Sequence, residues 1–264
     1  MQRLLILLAF FLPPRMRAGE IIGGHEAKPH SRPYMAFVQY LDENSGENQC
    51  GGFLIREDFV LTAAHCDGSP MNVTLGAHNI KGQEKEKTQQ VIPVVDRIRH
   101  PEYNPKTLVN DIMLLKLKSK AQRTKAVQTL KLPTGKAQVK PGSVCYVAGW
   151  GDTDARGTPS NTLQEVKIKV QADQLCESRF ANYDKEDQLC ESSFADDYNK
   201  ATQMCAGDPK KNQGSFEGDS GGPLVCKNVA QGIVSYGPPH GITPGVYTKV
   251  SSFLHWIKKT MKRR

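Results

Sequence analysis

Three short stretches carry residues able to do nucleophilic chemistry. "LTAAHC" ends an apolar run with His65 beside Cys66, "NDIMLL" opens another with Asp111, and "GDSGG" presents Ser220 between an aspartate and two glycines. A serine hydroxyl is a weak nucleophile until a base takes its proton, and the base in turn needs an orienting acid. Each stretch alone has a plain structural reading: a histidine closing a strand is most often packing, an aspartate before a strand a turn former, and a glycine-flanked serine a tight turn. Together, in the order His, Asp, Ser on a β-rich chain, they point to acyl transfer through a serine. Rival chemistries lack their signatures. No C-x-x-C or H-E-x-x-H spacing supports a metal, so no metal or other cofactor is expected. No aromatic–basic motif supports nucleic-acid recognition.

These residues need a scaffold, and the sequence describes one. Short β-like runs recur between glycine and proline punctuation: "YMAFVQYL", "GGFLIREDFVLTAA", "DIMLLKL", "SVCYVAGW", "LQEVKIKVQ", "GPLVC", "QGIVSYG" and "GVYTKV". Strands at such spacing argue for an all-β barrel or sandwich. The terminal "SSFLHWIKKTMKRR" differs: Phe253, Leu254, Ile257 and Met261 fall at helical spacing. Ser251 or Ser252 is placed to cap it, and the final Lys and Arg suit the negative end of its dipole.

The chain starts with Arg3 and nine apolar residues, Leu4 to Leu12. That run is far short of the roughly 20 needed to cross a bilayer. It reads as a secretory signal peptide ending near Ala18, and no later run is long enough to span a membrane. Secretion permits disulfides among the seven cysteines, Cys50, Cys66, Cys145, Cys176, Cys190, Cys205 and Cys226. The odd count follows from a tandem duplication. "DQLCESRFANYDKE" (173–186) runs directly into "DQLCESSFADDYNK" (187–200), with eight of the first nine positions identical, so Cys176 and Cys190 are one position written twice. Two copies are too few for a solenoid and read as an insertion in one surface loop. Asn72 in "NVT" is an acceptor for a glycan. Losing the first 20 residues, with three Arg and one Glu, takes the net charge from +8 to +6, which suits solubility and sulfated or anionic partners equally.

With these motifs in view, the chain resembles the chymotrypsin-like serine proteases. "IIGG" at Ile21, "LTAAHC", "DIMLL", "AGWG", "GDSGGPLVC" and "GVYTKV" carry the resemblance over nearly all of residues 21–264. It implies two six-stranded antiparallel β-barrels, about 21–130 and 131–250, with the site in the cleft between them and the C-terminal helix docked outside. It implies His65 as general base, Asp111 as its orienting partner, Ser220 as nucleophile, and the amides of Gly218 and Ser220 as the oxyanion hole. It also implies a zymogen: removal of the dipeptide Gly19–Glu20 by a dipeptidyl peptidase would free the Ile21 ammonium to pair with Asp219.

The lack of a cysteine after Cys226 and Phe216 before "EGDSGG" resemble the granzyme, chymase and cathepsin G branch, and "NDIMLL", "KAQVKPG", "TLQEV", "VAQGIVSYG" and "HWIKKTMKR" bring the resemblance closest to granzymes B and H. The resemblance pairs Cys50 with Cys66 and Cys145 with Cys226, and joins Cys205 to either Cys190 or Cys176; the 14 residues between Cys190 and Cys205 match the usual loop of the granzymes, which favours Cys190–Cys205 with Cys176 free. It places Gly214 at the base of the specificity pocket, with Ser235, Gly237 and Gly245 beside it. Three glycines leave an open, neutral pocket for Phe, Tyr, Leu or Met, where apolar burial is worth roughly 2–3 kcal/mol. The implied protein is a monomeric, granule-stored, secreted endopeptidase of immune defence acting on protein substrates. A catalytically silent cationic relative is the alternative, and retention of His65, Asp111 and Ser220 argues against it.

Overall fold

The computed structural model describes residues 23–42, 46–81, 86–135, 139–152, 158–181, 198–208, 210–211, 213–215, 217–238 and 243–264. The signal segment 1–18, the dipeptide 19–20, Ile21 and Cys190 lie outside the described residues. The strands, in chain order, are β1 (His25–Glu26), β2 (Met35–Asp42), β3 (Gly46–Arg56), β4 (Phe59–Thr62), β5 (Met71–Leu75), β6 (Gln90–Arg99), β7 (Met113–Leu117), β8 (Val144–Gly149), β9 (Gln164–Lys169), β10 (Gln203–Ala206), β11 (Pro223–Cys226), β12 (Val229–Tyr236) and β13 (Gly245–Lys249). Two helices complete the described elements, α1 (Asp173–Ala181) and α2 (Leu254–Arg263).

The first half closes into a six-stranded barrel in the order β2-β3-β4-β7-β6-β5. β4 and β7 are buried almost throughout, which is why "FVLT" and "MLLKL" read as near-continuous apolar runs. Phe53, Leu54, Phe59, Leu61, Leu75, Leu114 and Leu115 are fully buried on its strands, packed on both faces of the barrel wall.

The second half forms an antiparallel sheet of seven strands among the described residues, ordered β1-β9-β8-β11-β12-β13-β10. Six of them, β8–β13, curl until β10 meets the end of β9 again. A bridge between Val170 and Ala206 and a hydrogen bond from Gln171 N to Cys205 O at 2.9 Å make that join. β1 is the added seventh strand and pairs outside β9. The chain's early residues thus belong to the second sheet, although they precede the first barrel in sequence.

Helix α2 returns the favour by packing on the first barrel. Phe253, Leu254 and Ile257 are buried in the core shared with that barrel, and Arg56 Nη1 donates to the Met261 carbonyl at 2.9 Å. The expected serine cap is not made. A 3-10 turn (Val250–Phe253) leads into the helix, and the Ser252 hydroxyl donates instead to Ala201 O at 2.7 Å.

Three disulfides are formed among the described residues: Cys50–Cys66, Cys145–Cys226 and Cys176–Cys205. The third corrects the expectation that Cys190 pairs with Cys205 and Cys176 stays free. α1 begins four residues after β9, and the β9–β10 join holds that point beside Cys205, so the first copy of the repeat is delivered to the seat. Cα atoms of Cys176 and Cys205 lie 6.0 Å apart. The longer loop this closes adds only about 0.6 kcal/mol for a doubling of length, so the position of the β9–β10 join decides.

Candidate active site

His65 sits in a 3-10 turn (Ala64–Cys66) directly after β4, and the Cys50–Cys66 disulfide pins that turn to β3. Asp111 arrives just before β7, from a loop in which Leu108 and Asn110 take positive φ values of 52° and 59°. Two barrel strands thereby aim imidazole and carboxylate at one another. His65 Nδ1 meets Asp111 Oδ2 at 2.7 Å, and the His65 backbone N–H donates to Oδ1 at 3.0 Å. Asp111 has no solvent exposure, a costly place for a carboxylate unless every lone pair is used. The second sheet supplies a further donor to the carboxylate, Ser235 Oγ to Oδ2 at 2.6 Å, and Thr248 Oγ1 holds the residue by donating to the Asp111 backbone carbonyl at 2.8 Å.

Burial works against a charged imidazole at His65, but the negative charge of Asp111 and its hydrogen bond outweigh that, so the pKa lies above its ordinary value. The carboxylate also fixes the tautomer: with Nδ1 as donor, Nε2 is left to accept a proton.

Ser220 lies in the turn between Glu217 and β11. Gly218 and Gly221 adopt φ values of 87° and 80°, the left-handed region that a side chain resists. The turn is stitched to the first barrel by a hydrogen bond from Gly51 N to Ser220 O at 2.7 Å. A Cβ on Gly221 would lie 2.1 Å from Thr62 Oγ1 and 3.0 Å from Ala63 N, so residue 221 abuts the backbone two positions before His65. No hydrogen bond joins the Ser220 hydroxyl to His65 among the described residues. Such contacts are commonly long before substrate binds, and here the serine's backbone anchors place it.

Asp219 turns the other way and is fully buried, accepting from Gly151 N at 3.0 Å. This contact explains "AGWG". A Cβ on Gly149 would sit 2.1 Å from Asp219 Oδ1, and one on Gly151 would sit 2.3 Å from Glu217 O and 2.7 Å from Asp219 N. Both glycines are spaces that the aspartate and its turn occupy.

Of the three pocket glycines, Gly237 and Gly245 are neighbours, and Gly214 lies against Thr243. A Cβ on Gly237 would touch Gly245 Cα at 3.6 Å, and one on Gly245 would meet nothing nearer than Tyr236 O and Tyr247 Oη at 3.7 Å. Ser215 Oγ and Tyr247 Oη lie 3.3 Å apart beside Gly245. Burial pushes the Tyr247 phenol well above its ordinary pKa, so it stays protonated and uncharged. The hydroxyl of Ser235, two residues before Gly237, is spent on Asp111.

Chain comparison decides the family. A family model described as Trypsin matches residues 21–257. The chain belongs to the trypsin family of serine proteases. It is 64% identical over 263 residues to granzyme B of Rattus norvegicus, with 100% of both chains covered. It is 61% identical over 263 residues to granzyme H of Homo sapiens, again with 100% of both covered. A solved structure described as "Structure of GrC" superposes with a TM-score of 0.82 at 56% identity, covering 92% of this chain and 100% of that one. Cathepsin G of Mus musculus is 53% identical over 264 residues.

For this trypsin-family protease, several supporting residues escaped the sequence reading: Thr62, Gly51, Thr248, Ser215 and Tyr247. Thr62, Tyr247 and Thr248 lie inside the quoted stretches "LTAAHC" and "GVYTKV", but each matters only because another strand is brought against it. Cys50, His65 and Cys66 also cluster closely enough to suggest metal ligands. Both sulfurs are tied in the disulfide, so neither offers a thiolate.

Proposed function

We propose that this granzyme-like protease is a secreted, granule-stored endopeptidase of immune-cell defence that cleaves after large apolar or aromatic residues. The observation that carries the reading is the His65–Asp111 pair at 2.7 Å, set against the turn that presents Ser220. In the reaction, Ser220 Oγ attacks the scissile carbonyl while His65 Nε2 takes its proton. His65 then passes that proton to the leaving amine, and water repeats the cycle on the acyl-enzyme. Asp111 stabilises the imidazolium formed in each half. The amides of Gly218 and Ser220 receive the oxyanion, and losing one such donor costs about 3 kcal/mol of transition-state stabilisation.

The pocket supports the specificity. Its walls are glycine, the uncharged Ser215–Tyr247 pair lies beside Gly245, and no charged residue takes the place of Gly214 or Gly245. An aromatic side chain gains by burial there, whereas an Asp or Arg side chain would lose water without gaining a counter-charge.

Activation follows from Asp219. A buried carboxylate favours a cation, and the Ile21 ammonium supplies one once a dipeptidyl peptidase removes Gly19–Glu20. The mature enzyme is a monomer carrying a glycan on Asn72, an exposed position on β5, and its basic surface suits a sulfated proteoglycan.

A peptide-library profile of a chain starting at Ile21 tests the specificity. Cleavage after Phe, Tyr, Leu or Met should dominate, and faster cleavage after Asp or Arg would refute it. A fluorophosphonate probe should label the Ile21 form and leave a Gly19 form unlabelled.

A further inference from the structure

The only sequon of the chain, "NVT" at Asn72, stands at the centre of an apolar surface. Among the described residues, four large apolar side chains are exposed: Leu41, Val91, Val95 and Val144. The first three surround Asn72. On the outer face of the first barrel, Asn72 of β5 lies directly opposite Gln39 of β2 and Pro93 of β6. The diagonal positions, two residues to either side of those partners, are Phe37 and Leu41 on one flank and Val91 and Val95 on the other, near enough for a long side group to touch. A bulge against β7 leaves Val95 unpaired and 59% exposed. Scattered exposed apolar side chains are ordinary, but a contiguous cluster marks a surface that takes a partner. Polar groups lie at the same place. Phe37, Gln39, Asn72, Thr74, Ile80 and Val91 line a recess of about 190 Å³. The side chains of Gln39, Asn72 and Thr74 make no hydrogen bond among the described residues.

We propose that the first sugar of the Asn72 glycan lies back on this face and covers it, so that the carbohydrate serves as part of the barrel's outer packing. The inference rests on the reading that Asn72 is glycosylated. One face of an N-acetylglucosamine ring presents C–H groups, which leave water for Pro93, Val91 and Val95 as any hydrocarbon surface does. Its hydroxyl and acetamide groups keep hydrogen bonds by meeting the free side chains of Gln39 and Thr74. Asn72 is exposed and leaves the sheet between the two apolar flanks, so the attached sugar starts inside the patch. Covalent attachment spares it the translational and rotational cost that a separate molecule meets on binding. That advantage favours the sugar over a second copy of the chain or a lipid surface, either of which would first have to displace it.

The covered face is remote from the chemistry. β5 lies three strands from β4 whichever way the barrel is followed, and β4 is the strand that delivers His65. Losing the sugar therefore leaves catalysis alone and opens the patch to water and to like patches on other molecules.

Peptide mass mapping of the protein secreted from animal cells comes first. An unmodified Asn72 removes the glycan reading and this proposal with it, and leaves the protease reading untouched. Three forms are then compared by hydrophobic-dye binding and light scattering: the protein with high-mannose glycan, the same protein trimmed by an endoglycosidase to its first sugar, and Asn72→Gln. The first two should match, and Asn72→Gln should bind several-fold more dye and self-associate. Adding Val91→Thr and Val95→Thr to Asn72→Gln should return dye binding to the glycosylated level. Active-site probe labelling, the control for folding, should be equal in all. Trimmed protein that behaves like Asn72→Gln, Asn72→Gln that binds no extra dye, or extra dye that persists without the two valines each overturns the proposal. If Asn72→Gln is not secreted, removal of the whole glycan from the folded protein by an amidase, which leaves an aspartate, makes the same comparison. In the trimmed form, nuclear Overhauser contacts should join the sugar ring to the methyl groups of Val91 and Val95, and their absence overturns the proposal. Dimerisation of the glycosylated protein, or its binding to phosphatidylcholine vesicles, abolished by Val95→Glu, gives the face to another occupant and also overturns it.

Discussion

At the scale of single residues, the decisive interaction is the coupling of His65 to Asp111. Its sign is fixed by geometry. The imidazole pKa is raised above about 6.5, so its charged form stabilises the fold fully below that value, and the stabilisation is lost as pH rises through the raised pKa. Catalysis needs the neutral form, so kcat/KM should climb with a midpoint above about 6.5. Asp111→Asn should move that midpoint down and cut kcat by about 10⁴-fold, the size attached to the same change in the family's template triad. An unchanged pH profile would break the assignment. Gly151→Ala tests the space behind the turn. Its Cβ would press on Glu217 O and Asp219 N, backbone that cannot step aside, so about 1–3 kcal/mol of stability should be lost together with probe labelling. Gly245→Arg tests the pocket. The nearest neighbours of the added Cβ are 3.7 Å away, so the protein should fold normally while peptide-library preference moves toward acidic residues.

At the scale of elements, α2 and the β3–β4 turn hold the first barrel's geometry. His100 lies against Phe253 and Trp256, both ring centroids 5.1 Å away, and its amide donates to Ile112 O at 3.0 Å, next to Asp111. The helix therefore braces the loop that delivers the carboxylate. Ile257→Ala, at a fully buried position, should cost about 2–5 kcal/mol in chemical denaturation. In the β3–β4 turn, Asp58 accepts from Arg56 and from Lys116 on β7. Burial pushes the Asp58 carboxyl up, but the hydrogen bonds and charges of Arg56 and Lys116 prevail and hold it at about 2. A depressed carboxylate stabilises the fold above its unfolded value of about 3.9, and the contribution is lost as pH falls through about 2. Asp58→Asn should lower stability at neutral pH and flatten the acid limb of the stability curve. An acid limb as steep as wild type would exclude this network as its source.

At the scale of the whole molecule, the two halves are crossed over one another. β1 leaves the N-terminal end of the chain to join the second sheet, and α2 leaves the C-terminal end to pack on the first barrel. Trp150 of the second half packs edge-on against Phe37 of β2, with ring centroids 5.6 Å apart. One hydrophobic cluster contains residues of both halves, and Asp111 is bonded from both. Separate unfolding of either half would expose that shared core. Calorimetry should therefore give one cooperative transition whose van't Hoff and calorimetric enthalpies agree, and two resolved transitions would contradict the shared core.

The sequence by itself determined the class of chemistry and the fold, because His65, Asp111, Ser220 and the glycines around them sit in short, local motifs. It also marked the buried strands β4, β7 and β11, whose apolar runs are continuous. It did not reveal the two-residue β1, nor β5, β6 or β10. β6 carries Pro93 and alternates half-exposed and exposed positions along an outer face, and β10 is only four residues long, so neither has a strong local signal. The tertiary structure alone decided which half-cystine Cys205 takes, that Ser235 serves Asp111, and that the glycines of "AGWG" make room for Asp219. Each of these depends on distances between segments remote in the chain, and when two candidates are nearly identical, as Cys176 and Cys190 are, composition cannot choose between them. Where the β9–β10 join holds the backbone does.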